Sequence, residues 1–139
     1  VIASHCNFRA LLRNQENERQ FTDETIAHLV DRDGVVGVIP FNGFLDGNWE
    51  KGQPRERVRL DNLAQHIDHI CQIAGNAEHA AIGSDLDGGF GYPNIPLEMN
   101  DISDLKKLEQ ILQQRGYTEE DIRNIFHGNW LRVLKRGLP

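Results

Sequence analysis

The stretches Val1-Ile2-Ala3-Ser4-His5 and Ala80-Ala81-Ile82-Gly83-Ser84-Asp85 decide the fold, because each is a short apolar run ending on a polar residue able to do chemistry. Parallel α/β sheets and barrels gather their ligands at the carboxyl ends of the strands, so the pattern predicts that His5 and Asp85 face one shared mouth. Between them, Val35-Val36-Gly37-Val38-Ile39-Pro40 is apolar without alternation, as expected of a strand covered on both faces.

Helical patterns separate these strands. Phe21-Thr22-Asp23-Glu24-Thr25-Ile26 announces a helix, with Thr22 as N-cap, Asp23 and Glu24 suited to the helix dipole, and Phe21 with Ile26 as a hydrophobic staple. That helix is expected to end near Gly34 in a left-handed cap. Leu60, Leu63, Ile67, Cys71 and Ala74 recur at helical spacing up to Gly75. Leu105, Leu108, Ile111 and Leu112 mark a further helix closed by Gly116, and Tyr117-Thr118 with Asp121 and Ile122 repeats the cap and staple into a last helix through Leu134. Residues 6 to 20 read as polar and irregular, and the glycine- and proline-bearing stretches 41 to 57 and 88 to 96 read as long loops that shape a site.

Right-handed crossovers turn this order into a parallel sheet with helices outside, an α/β fold. Three parallel strands alone would leave open sheet edges, and the chain opens without Met inside a strand. Both features read as residues 1–139 forming one unit, a fragment of a longer protein.

Composition narrows the partners. With 39% apolar and 26% charged residues the chain can bury a core, and a net charge of -6, from 21 acidic against 15 basic residues, argues against a phosphate-tracking surface. Nucleic acid is not an expected partner. No apolar stretch approaches the roughly 20 residues of a membrane span, so a soluble chain is expected. Cys6 and Cys71 form neither a CxxC motif nor a dense disulfide framework.

At the strand ends the residue types suggest hydrolytic chemistry. Neutral imidazole at a rigid strand end can hold zinc, so His5 reads either as a metal ligand or as a histidine hydrogen-bonded at a strand terminus. Cys6 is a ligand by type, but in an extended chain it points to the face opposite His5. Asp85, followed by Asp87 and Gly88, can take a proton from a metal-activated water and return it to a leaving amine, or it can cap the loop as an Asx turn. A calcium loop is excluded, since position 12 counted from Asp85 is Pro96 rather than Glu. His66 and His69 could share a helix face and read as surface or helix-packing histidines, and Trp49 and Trp130 read as packing residues. Arg19, in a loop before a helix cap, could grip a carboxylate in bidentate fashion.

In their order and spacing, several motifs resemble the membrane dipeptidase (renal dipeptidase) family of zinc peptidases in the amidohydrolase superfamily. They are Val1-Ile2-Ala3-Ser4-His5-Cys6-Asn7 with Arg9-Ala10-Leu11, Arg19-Gln20-Phe21-Thr22-Asp23-Glu24, Gly34-Val35-Val36-Gly37-Val38, Asp68-His69-Ile70, and Ile82-Gly83-Ser84-Asp85-Leu86-Asp87-Gly88. Further along come Arg115-Gly116-Tyr117-Thr118-Glu119-Glu120-Asp121-Ile122 and Gly128-Asn129-Trp130-Leu131-Arg132-Val133-Leu134. The resemblance implies a (β/α)8 TIM barrel holding two zinc ions, of which this chain carries about strands six to eight. It also implies His5 as a zinc ligand, Arg19 as the clamp on a dipeptide's carboxylate and Asp85 as the catalytic, substrate-contacting carboxylate. A zinc-bridging hydroxide would attack the peptide carbonyl. The stretch from 12 to 18 is longer than the family pattern, and the family's His-x-Asp motif, bridging glutamate and other zinc-binding histidine have no counterpart in the 139 residues. The unit by itself is therefore expected to be an incomplete, inactive hydrolase.

Two other readings start from the same residues. The strand followed by Asp-x-Asp-Gly also opens haloacid-dehalogenase-type phosphatases, which would make Asp85 a magnesium-assisted nucleophile, although Gly89 stands where Thr or Val is usual. A non-catalytic half-barrel would instead be an assembly module that pairs with another copy as a homo-oligomer.

Overall fold

The computed structural model describes residues 1–12 and 18–138. Strands β1 (Ile2–Ala3), β2 (Val35–Val38) and β3 (Ala80–Ile82) form one sheet in chain order, and both neighbouring pairs are parallel. Ile2 stands opposite Val35, Val36 opposite Ala80 and Val38 opposite Ile82. All four residues of β2 are buried, as its unbroken apolar run requires of the middle strand. At the β1 edge Val1 and Ile2 remain exposed, at 66% and 49%.

The crossovers are helical. Helix α1 (Asp23–Val30) leads from β1 to β2, and α2 (Asn42–Leu45) with the long α3 (Leu60–Ala74) leads from β2 to β3. Helices α4 (Lys107–Gln114), α5 (Glu119–Arg123) and α6 (Asn129–Gly137) follow β3, with a π-helical turn at Asn124–Gly128 joining the last two. Leu63, Ile67 and Ile70 of α3 pack with Ile26, Val36, Leu108 and Ile125 into a continuous core. Arg115 ties α3 to the end of α4 by pairing with Asp61 and Asp68, and the Tyr117 hydroxyl donates to Asp68 at 2.8 Å. No helix among the described residues is long and apolar enough to cross a membrane.

Local chemistry sets most boundaries. Thr22 Oγ1 accepts the Thr25 N–H at 3.2 Å to open α1, and Thr118 and Asp121 form a reciprocal capping box at α5. Gly75 and Gly116 end their helices at φ 75° and 93°, where a side chain would be strained.

Four expectations need correction. The left-handed residue after α1 is Asp33 at φ 52° rather than Gly34, because the Gly34 N–H turns back to the Leu29 carbonyl at 2.9 Å before the chain straightens into β2. Helix α6 runs to Gly137, past Leu134. The stretch 41 to 57 is not a plain loop, since it contains α2 and a 3-10 turn at Arg55–Arg57. Nor is the start of the 6 to 20 stretch simply polar surface: Phe8 is fully buried and bridges Phe21, and Asn7 and Gln20 are buried with it. Residues 13–17, within the 12 to 18 stretch expected to exceed the family pattern, lie outside the described residues.

Candidate functional site

His5 and Asp85 follow β1 and β3, which are not neighbours; two strand spacings of about 4.8 Å separate such strands. Even so, Nε2 of His5 approaches Oδ1 of Asp85 to 4.0 Å. The backbone after β1 leans across the sheet to achieve this. A Cβ placed on Gly83 would lie 1.8 Å from the Ser4 carbonyl oxygen, and one on Gly37 would lie 2.4 Å from it. Both glycines are therefore required by a close backbone approach rather than by their dihedral angles.

The Asp85 turn is equally specific. Asp85 adopts φ 47°, a left-handed conformation that Asp tolerates better than most residues, and the Gly88 N–H closes the turn on its carbonyl at 2.8 Å. A Cβ at Gly88 would meet Asp85 Oδ1 at 2.5 Å. On the other partner, Ser4 Oγ is hydrogen-bonded to Nδ1 of His5 at 2.7 Å, which leaves Nε2 facing the carboxylate. The His5 and Asp85 side chains are 38% and 34% exposed, so the pair stands in an open mouth.

Arg19 joins the same end of the sheet. Its Nη2 donates to the His5 carbonyl at 3.3 Å, and its guanidinium carbon sits 5.8 Å from the centre of the Phe44 ring. The turn that carries it is fixed by two buried amides. Asn7 donates through Nδ2 to the Ile39 and Phe44 carbonyls at 3.2 and 3.0 Å and accepts the Ile39 N–H at 2.9 Å, while its own N–H donates to Gln20 Oε1 at 2.9 Å. Asn7 and Gln20 were not singled out from the sequence. Both sit in a stretch whose polarity reads as exposed loop, and only their long-range partners distinguish them.

The remaining candidates have structural roles. Cys6 extends the pairing with β2 through its N–H to the Gly37 carbonyl at 3.0 Å, and burial pushes its thiol pKa up despite the nearby Arg19 charge. His66 is buried in α3 and accepts the Phe8 N–H on Nδ1 at 3.2 Å; loss of solvation, with a smaller contribution from neighbouring His69, lowers its pKa to about 3. His69 pairs with Asp23 at 2.7 Å, and both histidine rings pack on Phe8. Trp130 donates its indole N–H to the Ile82 carbonyl at 3.0 Å, while Trp49 is buried beside Phe41.

As a metal site the mouth fits in part. An imidazole whose Nδ1 is engaged by a hydroxyl and whose Nε2 faces the Asp85 carboxylate across 4.0 Å has the form of an oriented ligand. Among the described residues, however, no three His, Cys, Asp or Glu side chains gather where they could hold a metal ion. A catalytic zinc takes about three protein ligands. His5 therefore suits one position of such a centre and does not complete it.

The chain is similar to known proteins along nearly its whole length. A protein of Klebsiella pneumoniae described only by its position in the pqqA 5' region is 35% identical over 137 residues, covering 97% of this chain and 46% of its own. A crystal structure of a dipeptidase described as an M19 metallopeptidase superposes with a TM-score of 0.80 at 27% identity, over 97% of this chain and 37% of that one. A Rhodobacter sphaeroides metallopeptidase, solved with a phosphinate mimic of the dipeptide L-Ala-D-Ala, superposes with a TM-score of 0.77 at 28% identity, over 97% of this chain and 35% of that one. The chain thus spans less than half the length of each. Residues 1–137 match the family model for membrane dipeptidases, and the chain belongs to that family, peptidase family M19.

Proposed function

We propose that residues 1–139 are the C-terminal part of a zinc-dependent dipeptidase, carrying about strands six to eight of a (β/α)8 barrel and one side of its active site. The convergence of His5 and Asp85 within 4.0 Å, from two strands that do not touch, is the observation that carries this reading. The parallel sheet with an exposed β1 edge suits a barrel segment, because a barrel supplies the neighbour such an edge lacks.

Each residue has a defined task. His5 would hold metal through Nε2, with Ser4 Oγ fixing the tautomer and the ring orientation. Zinc bound there would supply Lewis-acid activation of water and polarisation of the peptide carbonyl. Asp85, 4.0 Å from the imidazole, accepts the proton of the attacking water and delivers it to the departing amine. Arg19 receives the carboxylate at the end of the dipeptide, its planar fork matching the two oxygens. The remaining metal donors would come from the rest of the barrel.

The membership of the dipeptidase family leaves the haloacid-dehalogenase phosphatase reading without support. The assembly-module reading differs from the present one in what zinc and the missing half-barrel should do. The 139-residue chain by itself should hydrolyse dipeptides negligibly with zinc added, whereas a chain extended through the first strands of the barrel should hydrolyse them with zinc and lose that activity on His5→Ala. Zinc-dependent turnover by residues 1–139, lost on His5→Ala, would mean that the chain contains a complete centre and would overturn the partial-site reading. Absence of turnover in the extended, zinc-loaded chain would overturn the dipeptidase reading itself.

A further inference from the structure

Arg19 touches two parts of the fold that lie far apart in the sequence. Its Nη2 donates to the His5 carbonyl at 3.3 Å, and its guanidinium lies over the Phe44 ring, 5.8 Å from the ring centre. A cation over an aromatic face is attracted by the ring's quadrupole, and this separation is within reach of that attraction. The ring is itself fixed. Phe44 belongs to α2, its N–H donates to the Phe41 carbonyl at 2.8 Å, and the Phe41 and Phe44 rings meet edge-on at 5.0 Å. Asn7 ties down both sides of the contact: its N–H donates to Oε1 of Gln20, the residue after Arg19, and its Nδ2 donates to the Phe44 carbonyl at 3.0 Å. One fully buried amide therefore sets the ring and the arginine turn in register.

A carboxylate clamp gains from such a contact. Arg19 is exposed, and the freedom of its long side chain must be surrendered when it grips an anion; a surface that orients it beforehand lowers that cost. Contact through the face of the ion does not use its in-plane N–H groups, which are the ones that match the two oxygens of a carboxylate. A leucine in place of Phe44 would fill much of the space and offer no quadrupole. The role expected of Phe44 is thus specific to an aromatic ring, and specific to the anionic end of the substrate.

We infer that Phe44 is a positioning residue that acts through Arg19, its ring holding the guanidinium where the terminal carboxylate of a dipeptide meets it. The inference rests on the reading of Arg19 as the carboxylate clamp, whereas the contact itself is testable without substrate. In the 139-residue chain the Arg19 Nε–H resonance is followed by NMR, and the Trp130 indole N–H, bonded to the Ile82 carbonyl, reports an intact fold. Phe44→Leu and Phe44→Met should shift the Arg19 signal and increase its mobility, and Phe44→Tyr should leave both near wild type, with the Trp130 signal unmoved throughout. In the extended, zinc-loaded chain the two variants without a ring should raise KM for a dipeptide about fivefold, with kcat changed less than about twofold and KM for the dipeptide's C-terminal amide unaltered. Phe44→Tyr should restore the KM, and Phe44→Leu should add nothing to Arg19→Ala. A residue that merely filled space would move both substrates together. An Arg19 signal indifferent to Phe44→Leu, equal changes for acid and amide, or losses that add to those of Arg19→Ala would overturn the inference. A preference for acid over amide that survives Arg19→Ala would remove the clamp reading and the inference with it. An extended chain without turnover, beside an Arg19 signal that responds as expected, would remove the dipeptidase reading and leave the Phe44 contact standing.

Discussion

The carbonyl oxygen of Ser4 occupies the space that a side chain on Gly83 would need, with only 1.8 Å between that oxygen and the position of a Cβ. This contact brings the end of β1 over the sheet to the end of β3, and the His5 to Asp85 approach of 4.0 Å depends on it.

Gly83→Ala should therefore be severe. The neighbour is backbone and cannot rotate away, so β1 must shift, at a cost of about 3 kcal/mol or more in unfolding free energy. Chemical denaturation of residues 1–139 measures it, and a loss below about 0.5 kcal/mol would show that Ser4 does not sit on Gly83 in solution.

Gly88→Ala acts on the site more than on the fold. A methyl there would press on Asp85 Oδ1 at 2.5 Å and on the Asp85 carbonyl oxygen at 2.9 Å; the carboxylate, at the end of a side chain, can swing aside, and the carbonyl must give by only about a tenth of an ångström. In the extended, zinc-loaded chain turnover should fall about tenfold or more, with the melting temperature changed by only a few degrees. Unchanged turnover would mean that the Asp85 carboxylate does not have to stay where the turn places it.

Asn7 tests the clamp that holds the Arg19 turn. Asn7→Ala strips partners from the Ile39 N–H and from the Ile39 and Phe44 carbonyls, all at least partly buried, and should cost about 2–4 kcal/mol. Asn7→Asp keeps the acceptor for Ile39 but sets a carboxylate against two carbonyls, so denaturation should show it no more stable than the alanine variant at neutral pH.

His66 gives the fold a pH dependence of known sign. Its pKa is lowered to about 3 in the folded chain from an ordinary 6.5, so the unfolded chain binds the proton more readily. The associated stability is fully present above pH 6.5 and is lost progressively as pH falls towards 3, with the slope of about 1.4 kcal/mol per pH unit expected of one proton. Denaturation midpoints at pH 7 and 5 measure the slope, and His66→Asn, which retains an acceptor for the Phe8 N–H, should flatten it.

Much of this architecture can be read from local chemistry. Apolar runs ending on His5 and Asp85, caps at Thr22, Thr118, Gly75 and Gly116, and the spacing of Leu60 through Ala74 each reflect a preference that the structure keeps. What cannot be read depends on distant partners. Asn7 is buried because backbone groups at Ile39 and Phe44, more than thirty residues away, need it. The site divides in the same way. That His5 and Asp85 share an end follows from parallel crossovers, but their close approach follows from Gly37 and Gly83, which in the sequence look like ordinary strand residues.

Asp85 carries the central claim, and Asp85→Asn in the extended, zinc-loaded chain tests it most directly. The substitution keeps size and hydrogen bonding while removing the proton acceptor. Steady-state kinetics on a dipeptide should show kcat lowered about 100-fold or more with KM changed by less than about threefold. A variant with wild-type kcat, or one whose loss lies wholly in KM, would contradict Asp85 as the group that moves the proton.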